Sequence, residues 1–196
     1  MTKDFSALVG SRICHDLISP IGAISNGVEL LAMTDGDTSA EMALISESVE
    51  NANARIRFFR IAFGGAKVDQ LVSRSEVLSV LSAFAKGGRH TYYWQIDQDS
   101  QRRNVRIAFL LLLCMESALP TGGNITVHKE DDVWVVTAES DRLNYDATLW
   151  DGMIGKSEPI AHSAAQVQFA MLPAIIAESA RQLTVTQDAA KIIARF

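Results

Sequence analysis

The chain has 196 residues, enough for one sizeable domain or two small ones. Its net charge is -5 with both signs mixed along it, which argues against a nucleic-acid binder. The longest apolar run, Ile107 to Met115, is about half of what a membrane-spanning helix needs. With 48% hydrophobic residues, a buried core is expected. Thr2-Lys3-Asp4 opens no signal-peptide pattern, and the two cysteines, Cys14 and Cys114, lie in separate segments. The composition reads as a soluble cytoplasmic protein without a disulfide framework.

Two long helical patterns come first. Leu17, Ile21, Ile24, Val28 and Leu31 recur at spacings of 4, 3, 4 and 3; Ile45, Val49, Ala52, Ile56, Phe59 and Phe63 follow at 4, 3, 4, 3 and 4. These are seams of helices packed side by side. Between them, Thr34-Asp35-Gly36-Asp37-Thr38-Ser39 forms a turn. Asp37, Thr38 or Ser39 caps the second helix, and Glu41 either completes a capping box with Thr38 or sits in a solvated turn. An isolated hairpin exposes too much apolar surface. A homodimer built around a four-helix bundle buries it; the alternative is packing against the rest of the same chain. Near the end of the second helix, Phe59 and Phe63 read as core. Arg55 and Phe58 flank the seam, where they either touch a partner or pack on the surface.

Gly64-Gly65 closes the hairpin unit, residues 1–65, and residues 66–196 have a different texture. Ser75 to Lys86 reads as a helix with Ser75 as N-cap, stopped by Gly87-Gly88. Tyr92 to Ile96 reads as a strand, and Gln101 to Leu119 as a strongly apolar helix closed by Pro120. Ile125 to His128 and Val133 to Ala138 form a hairpin about Glu130-Asp131-Asp132. Ser163 to Arg181 is a helix interrupted at Pro173, and Leu183 to Thr186 and Ala190 to Ala194 are closing strands. The class is α+β, with helices on one face of a mostly antiparallel sheet. Tyr92, Tyr93, Trp94, Trp134 and Trp150 read as sheet packing. His90, His128 and His162 lack metal-ligand spacing.

The sharpest local feature is Ser11-Arg12-Ile13-Cys14-His15-Asp16-Leu17-Ile18-Ser19-Pro20. His15 lies about 200° round the helix from the seam residue Leu17, so it points outward. Ser11, Ser19, Gly22 and Asn26 share its azimuth and are all small or polar. A protein partner can lie flat on such a stripe and reach the ring. Pro20 inside a helical pattern costs several kcal/mol, and either bends the helix beside His15 for a reason or marks a tolerated kink. A neutral imidazole is a good nucleophile near pH 7. Its second nitrogen needs a partner to set the tautomer, and Asp16 is the nearest candidate. Arg12 is placed to help hold a phosphoryl oxygen or an acidic partner. Cys14 and His15 diverge by about 100° and form no dyad.

The run His15-Asp16-Leu17-Ile18-Ser19-Pro20 resembles the phosphoacceptor motif of two-component histidine kinases: histidine, acid, two residues, Ser or Thr, proline. More closely, Ser11 to Asp16 with Ser19-Pro20-Ile21-Gly22-Ala23-Ile24-Ser25-Asn26-Gly27-Val28-Glu29-Leu30-Leu31 is similar to the ChpT-type histidine phosphotransferases of alphaproteobacteria. The resemblance implies a dimer whose central bundle carries the histidine, flanked by degenerate ATPase-like α/β sandwich domains that have lost ATP binding. An active domain of that kind would need an asparagine on its first long helix, an Asp-x-Gly-x-Gly loop and a glycine-rich lid. Leu110 to Ala118 has no asparagine, and Glu116 alone is one carboxylate, not a metal site. Trp150-Asp151-Gly152-Met153-Ile154-Gly155 only faintly echoes the adenine loop, and His162-Ser163-Ala164-Ala165-Gln166 replaces the phosphate-cradling turn.

The leading expectation is therefore a phosphorelay enzyme without a cofactor or metal of its own. A receiver domain brings an aspartyl phosphate and magnesium to His15, which passes the group to a second receiver. By resemblance, the donor is the receiver of a CckA-type hybrid kinase and the acceptors are CtrA- and CpdR-like regulators. The rivals are an ATP-dependent histidine kinase core and a non-catalytic dimeric scaffold that binds regulators.

Overall fold

The computed structural model describes residues 4–34, 36–67, 69–158 and 163–196. Helices α1 (Ser6–Met33) and α2 (Ser39–Ala62) form the hairpin expected from the two seams. Leu17, Ile24 and Leu31 are half-buried, and Gly27 lets the helices come close: a Cβ there would stand 2.6 Å from Ile45 Cγ1. Ile21 and Val28 were expected on the same seam but stay exposed, as do Met42, Val49 and Ile56 on α2. Each triad or pair repeats every seven residues, so the hairpin carries a second apolar stripe that its own chain leaves uncovered. At the turn, Thr38 takes the N-cap position without a side-chain hydrogen bond. Asp37 Oδ1 accepts from the Ser39 N–H instead (3.0 Å).

The rest of the chain runs β1 (Leu71–Val72), α3 (Arg74–Ala85), β2 (His90–Trp94), β3 (Ser100–Gln101), α4 (Arg102–Ala118), β4 (Gly123–Glu130) and β5 (Val133–Glu139). Then follow α5 (Ala147–Met153), a 3-10 turn (Ala164–Gln166), α6 (Val167–Glu178), β6 (Thr184–Gln187) and β7 (Lys191–Arg195). The main sheet has the order β2-β4-β5-β7-β6; only β2 and β4 are parallel. The expected hairpin at Glu130-Asp131-Asp132 is present, with Asp131 at φ 53° making the turn. Ser73, not Ser75, caps α3, accepting from the Glu76 N–H at 3.1 Å. Both serines sit in the right composition, and only Ser73 precedes the first helical residue.

The middle of helix α4, Ile107 to Met115, is apolar all round because it is enclosed. Val105 and the run from Ile107 to Met115 are buried against α2, α6 and the sheet. The last turns of α2 share this core: Phe58, Phe59, Ile61 and Ala62 are buried with Phe109 and Val77. Arg102 pins the junction, donating to Gly65 O (3.0 Å) and Arg60 O (2.6 Å). Trp94 meets Trp134 edge-on at 5.6 Å, as expected of sheet packing. Trp150 departs from that expectation. It lies on α5, stacked on Tyr145 (5.3 Å) and edge-on to Phe169. Asp146 caps that helix by accepting from Thr148 N–H at 3.0 Å. No helix among the described residues is long and apolar enough to cross a membrane.

Candidate functional site

His15 stands on the outer face of α1 with its side chain 80% exposed. Ser11, Ser19, Gly22 and Asn26 are exposed on the same stripe. An added Cβ at Gly22 would meet nothing within 4 Å, so the surface beside the ring is low and open. Asp16 is the opposite case, with a side chain only 11% exposed. The His15 Nδ1–H donates to Asp16 Oδ1 at 3.0 Å. The other carboxylate oxygen, Oδ2, accepts from Arg12 Nε at 2.9 Å, an i,i+4 ion pair. A carboxylate is an acceptor, so in the neutral ring this contact favours the proton on Nδ1 and leaves the Nε2 lone pair toward solvent.

The stripe has two unlike flanks. On one side lie exposed Ile18, Ile21 and Val28. On the other, Ser19, Pro20 and Ala23 of α1 face Ser48, Asn51 and Arg55 of α2 across an open groove of about 320 Å³. Pro20 is buried within an unbroken α1. Arg55 donates to Asn51 Oδ1 (2.9 Å) and its guanidinium lies 5.8 Å from the Phe84 ring centre. Phe58 is not available to a partner. It is fully buried, stacked on Phe84 at 4.0 Å and against Phe109 at 4.7 Å. Its azimuth off the hairpin seam points it into the α/β unit, a direction that hairpin periodicity alone cannot distinguish from solvent.

Arg12 also differs from its expected setting. Its Nη1 donates to Ala165 O in the 3-10 turn (2.8 Å), so two of its arms aim into its own chain and not along the stripe. Beside it, a cleft of about 310 Å³ runs between α1, the start of β2, the end of α4 and the 3-10 turn. Glu116 lines it, with Tyr92 Oη donating to its Oε1. Burial raises the Glu116 carboxyl above its usual range, opposed in part by the Tyr92 hydrogen bond.

That shift has a measurable sign. The unfolded carboxyl releases its proton near the ordinary value of 4.5, and the folded one only at higher pH. The stability from this group is therefore present below 4.5 and lost as pH rises through the folded pKa. Glu116→Gln is expected to flatten this loss: Tm curves of variant and parent recorded from pH 4 to 8 should diverge in the variant's favour toward neutral pH.

Glu116 lines the cleft, and the turn before α6 consists of Ser163, Ala164, Ala165 and Gln166, without the glycines of a backbone phosphate cradle. The segment echoing an adenine loop, Trp150 to Gly155, starts inside helix α5 and runs past its end, with Trp150 buried. His162 lies outside the described residues. His90 and His128 are apart, one against Leu119 O and the other near Glu130. Among the described residues no three His, Cys, Asp or Glu side chains form a metal-binding group.

A family model for the histidine phosphotransferase C-terminal domain matches residues 74–191. Protein phosphotransferase ChpT of Brucella abortus (strain 2308) is 34% identical over 177 residues, covering 86% of this chain and 84% of the relative. A solved bacterial phosphotransferase superposes with a TM-score of 0.80 at 30% identity, covering 100% of this chain and 96% of that one. An α/β domain carrying a two-helix hairpin, with these matches across its length, places the chain in the histidine phosphotransferase family, whose chemistry is phosphoryl transfer in two-component phosphorelays.

Proposed function

We propose that His15 is the phosphoacceptor and that the chain carries a phosphoryl group between the receiver domains of response regulators. One observation carries this reading: an imidazole 80% exposed on a low polar stripe, with Nδ1 held by a largely buried aspartate. In the forward step, the Nε2 lone pair attacks the phosphorus of a receiver's aspartyl phosphate. The bond from phosphorus to the aspartyl oxygen breaks, and the carboxylate leaves with its electrons. The ring becomes cationic while Nδ1 keeps its proton, and Asp16 offsets that charge. The reverse sequence on a second receiver discharges the group. The receiver supplies magnesium, and the chain uses neither ATP nor a metal of its own. By family resemblance, the donor is a hybrid-kinase receiver and the acceptors are CtrA- and CpdR-like regulators.

Residues 1–65 then serve as the docking and dimerisation unit, and residues 66–196 as its degenerate ATPase-like support. The homodimer forms through the uncovered stripe of Ile21 and Val28 with Met42, Val49 and Ile56, in a four-helix bundle. The docking surface comprises Ser11, Ser19, Gly22 and Asn26 along the His15 stripe, with Pro20 and Arg55 on the adjoining groove. A cytoplasmic setting suits the exposed free thiol of Cys14. An Ile21→Asp, Val49→Asp double variant is expected to sediment as a monomer where the parent is a dimer. A parent that sediments as a monomer contradicts the bundle.

The functional test mixes the purified chain with a receiver carrying labelled phosphate. The expected result is label on the chain, then on a second receiver added later. Labelling from ATP alone would support a histidine kinase core. Binding of receivers without any transfer would support a scaffold.

A further inference from the structure

We propose that Arg12 is a positioning residue through which the α/β domain sets the orientation of Asp16 and thereby the tautomer of His15. The inference rests on the reading of His15 as phosphoacceptor and gives the second domain a defined part in the transfer.

The geometry forms one continuous chain. Asp16 divides its two oxygens between His15 Nδ1 (3.0 Å) and Arg12 Nε (2.9 Å). Arg12 Nη1 reaches Ala165 O at 2.8 Å, across 153 residues of sequence. That carbonyl is itself held, because it also accepts from Gln168 Nε2 at 2.9 Å. Gln168 is fully buried at the start of α6. The Ala165 carbonyl lies at the surface but is tied to the packed interior through the buried Gln168 side chain, while the ring at the other end stands in solvent.

An aspartate beside a histidine on a helix can rotate about its side-chain bonds, and an untethered carboxylate would hold the ring only part of the time. A guanidinium is a rigid plane with donors in a fixed fork. With one arm on a fixed carbonyl, the other arm fixes the plane of the Asp16 carboxylate. The carboxylate then holds the Nδ1 proton and presents Nε2 continuously. Arg12 is only 15% exposed, which agrees with a strut and not with a side chain reaching for a partner's phosphate. Lysine cannot take both arms at once, since it is a point charge on a flexible stem.

The test measures transfer and tautomer together on the full chain. Arg12→Ala is expected to slow phosphoryl transfer from a labelled receiver by about 10- to 100-fold while receiver affinity changes less than about twofold. The ¹⁵N spectrum of His15 is expected to move from a predominantly Nδ1–H ring toward a mixture of tautomers. Arg12→Lys should recover part of the rate, and Gln168→Ala, which touches neither ring nor receiver, should shift the spectrum in the same direction. An unchanged ¹⁵N spectrum in Arg12→Ala or Arg12→Lys overturns the proposal. So does a rate loss that follows weakened receiver binding, since Arg12 would then be a docking residue. If the parent chain accepts no phosphoryl group from any receiver, the phosphoacceptor reading itself fails. If the parent accepts it and Arg12→Ala transfers equally fast, only the strut is wrong.

Discussion

Alanine at position 15 is expected to abolish acceptance of phosphate from a receiver, a loss of at least about 1,000-fold, with no change in Tm. The two halves of this expectation have separate physical grounds. No other side chain on the stripe can replace the imidazole, because Ser11, Ser19 and Asn26 present hydroxyl or amide groups and Gly22 presents none. Thermal stability should be untouched because the ring is 80% exposed and its single polar contact is with an aspartate that Arg12 also holds. Asp16→Ala gives a graded companion result. The nucleophile survives, but its tautomer and the charge formed during attack lose their partner, so transfer should fall by about 10- to 100-fold. Single-turnover assays with a phosphorylated receiver, run beside thermal melts, separate these effects. Retained acceptance in His15→Ala would place the phosphoryl group elsewhere.

Phe58→Ala should be the most destabilising single substitution on the hairpin, with a loss of about 3–5 kcal/mol in denaturant unfolding. The ring is fully buried, and it bridges three elements: α2 by its own position, α3 through Phe84 at 4.0 Å and α4 through Phe109 at 4.7 Å. Removing it leaves a cavity where the hairpin joins the α/β core, and three packed helices cannot collapse to fill it. Under conditions where the variant is folded, transfer per folded molecule should match the parent, since no part of Phe58 reaches the stripe. A stable variant with weakened receiver binding would instead make Phe58 a docking residue.

The contrast between these two positions shows what the sequence makes legible. His15 could be placed on the outer face of α1 because the seven-residue spacing of Leu17, Ile24 and Leu31 fixes the helix azimuth locally. The same periodicity fails at Phe58. A residue off the hairpin seam faces either solvent or another element, and the choice depends on α3 and α4, which lie far along the chain. Ile21 and Val28 illustrate the opposite ambiguity. Their heptad spacing marks an apolar contact without saying whether the other surface belongs to the same chain. The β4–β5 hairpin was readable because the alternating run Ile125 to His128 and the mostly apolar, β-branched run Val133 to Ala138 flank an acidic turn. By contrast, α5 was hidden, since its seven residues are too few to display a helical period and its capping Asp146 lies in an irregular run. The hydrogen bond from Arg12 to Ala165 had no sequence signal at all. Nothing local to either residue announces a contact made by tertiary packing.

On the proposed function, a visiting aspartyl phosphate is taken by the outward nitrogen of one exposed ring. The most direct measurement is heteronuclear ³¹P–¹⁵N NMR of the chain after reaction with a phosphorylated receiver, on protein ¹⁵N-labelled in its histidines. The predicted result is a single phosphorus–nitrogen coupling to His15 Nε2, with the Nδ1 proton retained toward Asp16. Phosphorus bonded to Nδ1 of His15, to another histidine, or to a carboxylate of this chain would contradict it.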